Sequence, residues 1–594
     1  MWDTPDEINL ITLNCWGLKY ISKLRRERLA EIGRQISIAN PQPHIVALQE
    51  CWTQEDYRAI RRQTRFILPY GKFYHSAVLG GGLAILSRWP IEESTMYRYP
   101  LNGRPTAFWR GDWYVGKGVA CAKIRYGSGP KQVIEVFNTH THAPYEGGKP
   151  NDSYLCHRTA QSWEMAKLLR GAAERGHLVL AMGDFNMIPM SPEYQLITAL
   201  APVCDVWRVL HPDSSVGPAH HPAEAARGRP IPTAEFNIME NGATSDGPYN
   251  TWRWTKAQQK LLGPGKDPVT VPPDTPDTLG KRLDYIFAGS GDAHALGGVW
   301  KVKRASVGMM MRHPELGCSL SDHFAVEATL AFHPTQQGST SPSPTPPLPG
   351  SGSNESTASD GRSTPGAGAG GLPKPPDEPV PPPTESELTR KADLALHNGA
   401  YLQLNSPVPS LHNSITTTTA AAAAAAAVTD GADQHQQQLL PSPSALPITA
   451  YDAILALIAS YTARERGQRT WRGRHFFLSL LTTTGCLVGV WFTPAGKTYV
   501  AFILTLAAAL GLAAGTVDGL MALLFFGSEI KALREFEWEV RNARRRALLE
   551  VGAATAAAAA AAAAAGTGGG VDGGGGVGRE GPEEMGEEEE EEYW

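Results

Sequence analysis

The sequence predicts an α/β domain at the N-terminal end, a low-complexity linker, and a membrane-spanning hairpin near the C-terminus. Three observations carry this. Residues 8–332 alternate short β-branched or apolar runs with turn signals and helical stretches, residues 333–446 are dominated by Pro, Ser, Gly and Thr, and two almost wholly apolar runs follow at 476–492 and 499–526. At 594 residues the chain is too long for one core, and its 61 glycines and 46 prolines exceed the usual share, so long stretches are not packed.

Within the first region, strands are expected at 8–14, 45–48, 82–87, 118–124, 132–138, 178–183 and 283–288. Many end in a polar residue, as strands do when their ends line a site. Residues 25–39 and 153–170 have helical spacing with charged outer positions, and would cover the sheet faces. The organisation expected is a catalytic domain at 1–332, a disordered linker at 333–446, a basic juxtamembrane segment at 447–475, the hairpin at 476–526, a basic helix at 527–551 and an Ala/Gly-rich, acidic tail at 552–594.

The two apolar runs, 17 and 28 residues long, compare with the roughly 20 needed to cross a bilayer. Arg464, Arg466, Arg469, Arg472 and Arg474 precede the first, and Lys531, Arg534, Arg541, Arg544, Arg545 and Arg546 follow the second, whereas the turn carries only Lys497. Both flanks should therefore face the cytoplasm. No basic-then-apolar signal sequence opens the chain, and seven cysteines without a tight pattern fit a reducing compartment. Asp518 falls inside the second run, and head-group level is the position expected for it. The net charge of −5 is a tail property: residues 579–594 hold nine Glu and one Arg, and 53 basic against 50 acidic residues precede them. No nucleic-acid-binding face is implied.

The chemistry-bearing residues are scattered, each near the end of an expected strand. They are Asn14 in Thr-Leu-Asn-Cys-Trp, Glu50 in Ala-Leu-Gln-Glu, His140 in Asn-Thr-His-Thr-His, Asp184 and Asn186 in Gly-Asp-Phe-Asn, Asp284 in Arg-Leu-Asp-Tyr-Ile-Phe, and Asp322-His323 in Ser-Asp-His-Phe. Each string alone is weak, but six in this order are specific. The order resembles the endonuclease/exonuclease/phosphatase superfamily, and within it the neutral sphingomyelinases and fungal inositol phosphosphingolipid phospholipases C. The resemblance implies a four-layer, deoxyribonuclease-I-like α/β sandwich and Mg²⁺-dependent hydrolysis of a sphingolipid phosphodiester in a bilayer, with anionic phospholipids as activators. A nuclease or an inositol polyphosphate phosphatase on the same scaffold is the alternative.

The residue types suit that chemistry. A hard cation needs few protein oxygens, so Glu50 is the expected ligand, with Asn14 reaching the ion through its amide oxygen and Asp322 as an outer candidate. Asp284 and His323, brought together as their two strands pair, would make His323 the general base. Asp184 and Asn186, two apart on an extended segment, would hold the attacking water and a phosphoryl oxygen, and His140 would donate to charge building on phosphorus. His142 is expected to play no direct part. Residues 111–118 mimic a phosphate-binding loop, but Gly118 stands where Ser or Thr should be, which excludes nucleotide binding. By resemblance to the P-loop-like stretch of neutral sphingomyelinases, Asp112 and Lys117 are substrate-side candidates. The basic helix after the hairpin, with Phe536 and Trp538, could rest on anionic lipid.

Overall fold

The computed structural model describes residues 5–107, 110–146, 152–335 and 446–566, with side chains to 559. The expected linker lies almost wholly outside these residues, as does the tail beyond residue 566, whereas residues 552–566 of the expected tail continue the helix Phe526–Gly566.

Twelve strands are present among the described residues: β1 (Glu7–Asn14), β2 (Ile45–Gln49), β3 (Tyr70–Tyr74), β4 (Leu83–Ser87), β5 (Ile91–Arg98), β6 (Gly118–Arg125), β7 (Val133–His140), β8 (Leu178–Asp184), β9 (Cys204–Asp205), β10 (Asp284–Gly289), β11 (Gly298–Gly308) and β12 (Ala325–Pro334). They form two mixed six-stranded sheets, ordered β11-β12-β1-β2-β4-β3 and β5-β6-β7-β8-β10-β9. Side chains alternate across each strand, so one set fills the space between the sheets. Ile8, Leu10, Ala47, Ile134, Leu180, Met182 and Ile286 pack there. The opposite set, Ile11, Leu13, Val46 and Leu48 on one sheet, packs with Leu29, Ile32 and Ile60 of the helices Arg25–Ser37 and Gln54–Thr64. On the other sheet Val179, Ala181 and Phe287 pack with Met165 and Leu169 of helix Leu155–Glu174. The result is a helix–sheet–sheet–helix sandwich of the deoxyribonuclease-I-like kind.

Polar groups bridge the two sheets where the apolar rows end. Gln49 donates to the Asn138 amide oxygen at 2.7 Å, and Asn138 donates to the carbonyls of Leu48 at 3.0 Å and Ala84 at 2.9 Å. These groups are buried, so each bond avoids an unsatisfied polar atom.

The C-terminal region differs in detail from expectation. The basic segment before the hairpin and the first apolar run are one helix, Ile448–Trp491. The helical run Thr498–Ala559, with a π-helical register change at Met521–Phe525, is the one described helix long and apolar enough to cross a membrane. The first run carries Thr482, Thr483 and Thr484, which lower its apolarity; Thr482 and Thr484 bond back to their own helix and Thr483 donates to the Ala508 carbonyl at 3.3 Å. Asp518 pairs with Arg472 and, at 2.6 Å, with His475 Nδ1 of the neighbouring helix, rather than facing head groups alone.

Both long helices dock onto the sandwich. Tyr451, Ile454, Ile458, Leu533, Phe536 and Val540 pack on Cys156, Ala160 and Trp163. Phe536 therefore faces Trp163, with ring centroids 5.8 Å apart, and not lipid, whereas Trp538 is exposed. The contact includes a buried pair, His157 Nε2 to Glu529 Oε1 at 2.9 Å, and Glu539 accepts from Trp163 at 2.8 Å and Lys167 at 2.5 Å.

Candidate active site

Strand parity explains which side chains meet. On β1, Ile8 and Leu10 point between the sheets, so Asn14 does too. The same count along β7, β8 and β10 points His140, Asp184 and Asp284 inward. Register then aligns them: Asp184 stands opposite His140 on β7 and opposite Asp284 on β10. Glu50 breaks the rule. Gln49 is the inward residue at the end of β2, and continued alternation would send Glu50 outward. A left-handed backbone at Glu50, φ 52°, turns it back toward Asn14. Gly17 permits this, because a Cβ there would lie 2.3 Å from the Glu50 carbonyl oxygen. Asn186 is also left-handed, φ 46°, with its N–H donating to Asp184 Oδ1 at 2.9 Å.

Asn14 lies at the centre. Its amide nitrogen donates to Glu50 Oε1 at 3.1 Å and to Asp184 Oδ2 at 3.0 Å, while its oxygen accepts from the Trp16 N–H at 3.0 Å. Two carboxylates draw the nitrogen, and in this arrangement Asn14 is a donor that spaces them. Asp184 Oδ2 is also 3.5 Å from His140 Nε2 and 3.9 Å from His323 Nε2. His323 Nδ1 meets Asp284 Oδ2 at 2.8 Å. This pair forms across the sandwich and not by strand pairing, since β10 pairs with β8 and β9, and His323 precedes β12 in the other sheet.

The electrostatics follow from burial. Burial, reinforced by the Asp322 charge, pushes Glu50 up to about 7. Burial likewise pushes Asp184 up to about 6. Burial alone would lower His323, but Asp284 and Asp184 outweigh it and hold the imidazole well above its ordinary range. His140 is held well below that range by burial and then by Lys117, so it is a neutral donor.

Glu50 Oε2 is buried without a hydrogen-bond partner, and so is Asp284 Oδ1. An orphaned carboxylate oxygen beside a second carboxylate is what a hard cation would satisfy, so the donor set fits Mg²⁺. Asp184, Asp284 and His323 also present ligand atoms within 4.8 Å of one another. His323 Nδ1 is there engaged by Asp284. Asp322 is half-buried beside Ser321, whose hydroxyl lies 3.4 Å from it.

Asp112 and Lys117 pair at 3.3 Å, and Lys117 also donates to the Thr141 carbonyl at 2.8 Å, as does Asn186 at 3.1 Å. Their segment is a one-turn helix, Asp112–Val115, between left-handed Gly111 and Gly116. His142 is buried, stacked on Tyr154 at 4.4 Å and 3.8 Å from Asp112. Arg28 escaped notice in the sequence. Its guanidinium bonds the carbonyls of Cys15 at 3.1 Å, Trp16 at 2.8 Å and Leu320 at 2.7 Å, tying the segment after Asn14 to that before His323. Among many charged helix positions it carried no distinguishing signal. Gln49 and Asn138 did carry one, as amides at inward positions of apolar strands.

A family model described as Endonuclease/Exonuclease/phosphatase family matches residues 11–323. The chain is 43% identical over 325 residues to the inositol phosphosphingolipids phospholipase C of Schizosaccharomyces pombe, covering 55% of this chain and 68% of that protein. It is 29% identical over 557 residues to the Saccharomyces cerevisiae protein of the same name, covering 90% of each. Against sphingomyelin phosphodiesterase 2 of Homo sapiens it is 29% identical over 337 residues, 56% of this chain and 67% of that one. With its inward polar row at one end of a double-sheet sandwich, the chain belongs to the endonuclease/exonuclease/phosphatase family, on its inositol phosphosphingolipid phospholipase C and neutral sphingomyelinase branch.

Proposed function

We propose that the protein is a membrane-held phospholipase C that hydrolyses the phosphodiester between ceramide and a sphingolipid head group, inositol phosphate or phosphocholine. The observation that carries this is the convergence of Glu50, Asn14, Asp184, His140, Asp284 and His323 on one end of a sandwich docked to an apolar helix. Glu50, with Asp322 nearby, would hold Mg²⁺. An ion held there would offset the carboxylate charge and supply Lewis-acid polarisation of the phosphodiester. Asp284 fixes His323 through Nδ1 and turns Nε2 toward Asp184, so His323 in its deprotonated form is placed to take the proton of the attacking water, and the carboxylates that raise it make it a stronger base. Asn186 and Asp184 orient that water and the phosphate, and neutral His140 donates to the phosphoryl oxygens. Lys117, neutralised by Asp112 within the fold, faces the anionic head group.

In this reading the runs 476–492 and 499–526 both span the bilayer, the sandwich and the C-terminal flank sit on the cytoplasmic side, and the arginines and lysines on both flanks attract the anionic phospholipids that activate the enzyme. The test is release of labelled ceramide from vesicles by the purified full chain in Mg²⁺, alongside Glu50→Ala and His323→Ala. Release that is unchanged in both variants refutes the assignment.

A further inference from the structure

The described surface carries exposed apolar side chains on two turns beside the Glu50 segment. One is the turn after β3, where Val78 is 83% and Leu79 57% exposed; the other follows β1, where Tyr20 is 90% and Ile21 70% exposed. Lys19 Nζ lies over the Tyr20 ring, 5.3 Å from its centroid. The first turn is fixed at both ends. Toward the site, the Gly82 carbonyl accepts from the Cys51 N–H at 3.0 Å, next to Glu50. Toward the helices, the Leu79 N–H donates to the Tyr114 carbonyl at 3.2 Å and the Ser76 hydroxyl to the Gly116 carbonyl at 2.6 Å. The 111–116 segment is itself anchored: Trp113 lies edge-on against Phe525, centroids 4.5 Å apart, at the sandwich-side end of the apolar helix. A Cβ on Gly116 would come within 2.5 Å of Ala77, so the turn and this segment are in close contact.

We infer that the Val78–Leu79 turn is a lipid-facing rim, dipping into the head-group layer of the membrane that holds the chain and setting the active-site mouth against that layer. This rests on the membrane reading given above. The chain of contacts from Phe525 through Trp113 and Tyr114 to Leu79 holds the turn at the level where the apolar helix leaves the bilayer. Apolar side chains held there gain by entering lipid rather than staying in water. Tyr20 and Ile21 follow Gly17, which abuts the Glu50 backbone.

The experiment uses the full chain in vesicles of phosphatidylcholine, phosphatidylserine and inositol phosphosphingolipid. Leu79→Cys carries an environment-sensitive dye, with Cys121, Cys204 and Cys486 replaced by serine. Phe66→Cys, 81% exposed at the opposite end of β3, is the control. A blue-shifted emission quenched by nitroxide lipid at 79, with water-like emission at 66, supports the rim. Water-like emission at both positions while the chain floats with the vesicles overturns it and leaves the membrane anchor standing. A chain that fails to float overturns both. In the second arm, Val78→Asp with Leu79→Asp should slow hydrolysis of bilayer substrate about tenfold or more and leave a short-chain, water-dispersed substrate unaffected. Equal loss on both substrates would mean that the turn merely supports Glu50.

Discussion

The pH dependence of Mg²⁺ binding follows from one carboxylate. Burial and the nearby Asp322 charge raise Glu50 from an ordinary 4.5 to about 7, so the metal-free protein holds a proton there through the acidic range. A hard cation needs the ionised form, so proton and metal compete below that value and not above it. Because the acid is raised, binding strengthens as pH rises through 7 and then levels off. Below 7 the apparent affinity should fall about tenfold per pH unit, or about 30-fold between the plateau and pH 5.5. Binding should release about 0.9 proton at pH 6 and about 0.1 at pH 8. Asp184, raised to about 6, steepens the fall at the acid end. Calorimetric titration of Mg²⁺ in two buffers of different ionisation enthalpy reads affinity and proton release together, with Glu50→Gln as the comparison. An affinity that is flat from about pH 5.5 to 8, or Glu50→Gln binding with the wild-type slope, refutes the assignment of the metal to Glu50.

Other substitutions test the remaining parts. On the proposed role of His323 as a proton acceptor, His323→Gln should lower turnover by about 10³-fold while Mg²⁺ affinity stays within a few-fold; a parallel loss of both, measured by ceramide release and calorimetry, contradicts this. Arg282→Met leaves Asp205 buried without its two bonds at 3.0 and 2.8 Å, and should cost about 3–5 kcal/mol in urea unfolding. Asn138→Leu removes the side-chain donors to the carbonyls of Leu48 and Ala84 and one of the acceptors of the Gln49 amide, a loss of about 3 kcal/mol on the same measurement.

How much of this was legible in the sequence depends on whether the information was local. Strands β1, β2, β4, β6, β7, β8 and β10 were readable to within one or two residues because each is a nearly continuous apolar run. β3, β5, β9, β11 and β12 were not among the strands expected; β5 and β11 are half-exposed and carry mixed sequences such as Ile-Glu-Glu-Ser, whose pattern is no stronger than that of a loop. The site residues were readable by type and order, but their partners were not. Asp284 meets His323 through the stacking of two sheets, and no strand pattern encodes which sheet a neighbour joins. Phe536 reads as an aromatic on a basic amphipathic helix, equally suited to lipid or protein; Trp163, hundreds of residues earlier, decides the matter by burying it.

The core and the site are specified by the same register. His140, Asp184 and Asp284 lie on one line across β7, β8 and β10, and the inward residues behind them, Val136, Met182 and Ile286, fill the space between the sheets. A slip of one residue in any of these strands would turn Phe137, Gly183 or Tyr285 inward and carry a catalytic group to the outer face. The outer face already buries Phe137 and Tyr285 against the helices, so a slip would also expose them or clash. Selection for a packed sandwich therefore aligns the polar row without further help. Only Glu50, whose position requires a left-handed residue after the strand, and the Asn14 amide that spaces the carboxylates must be specified separately. Glu50 is a position at which period-two reading of the sequence departs from the structure, and it is one that the metal would touch.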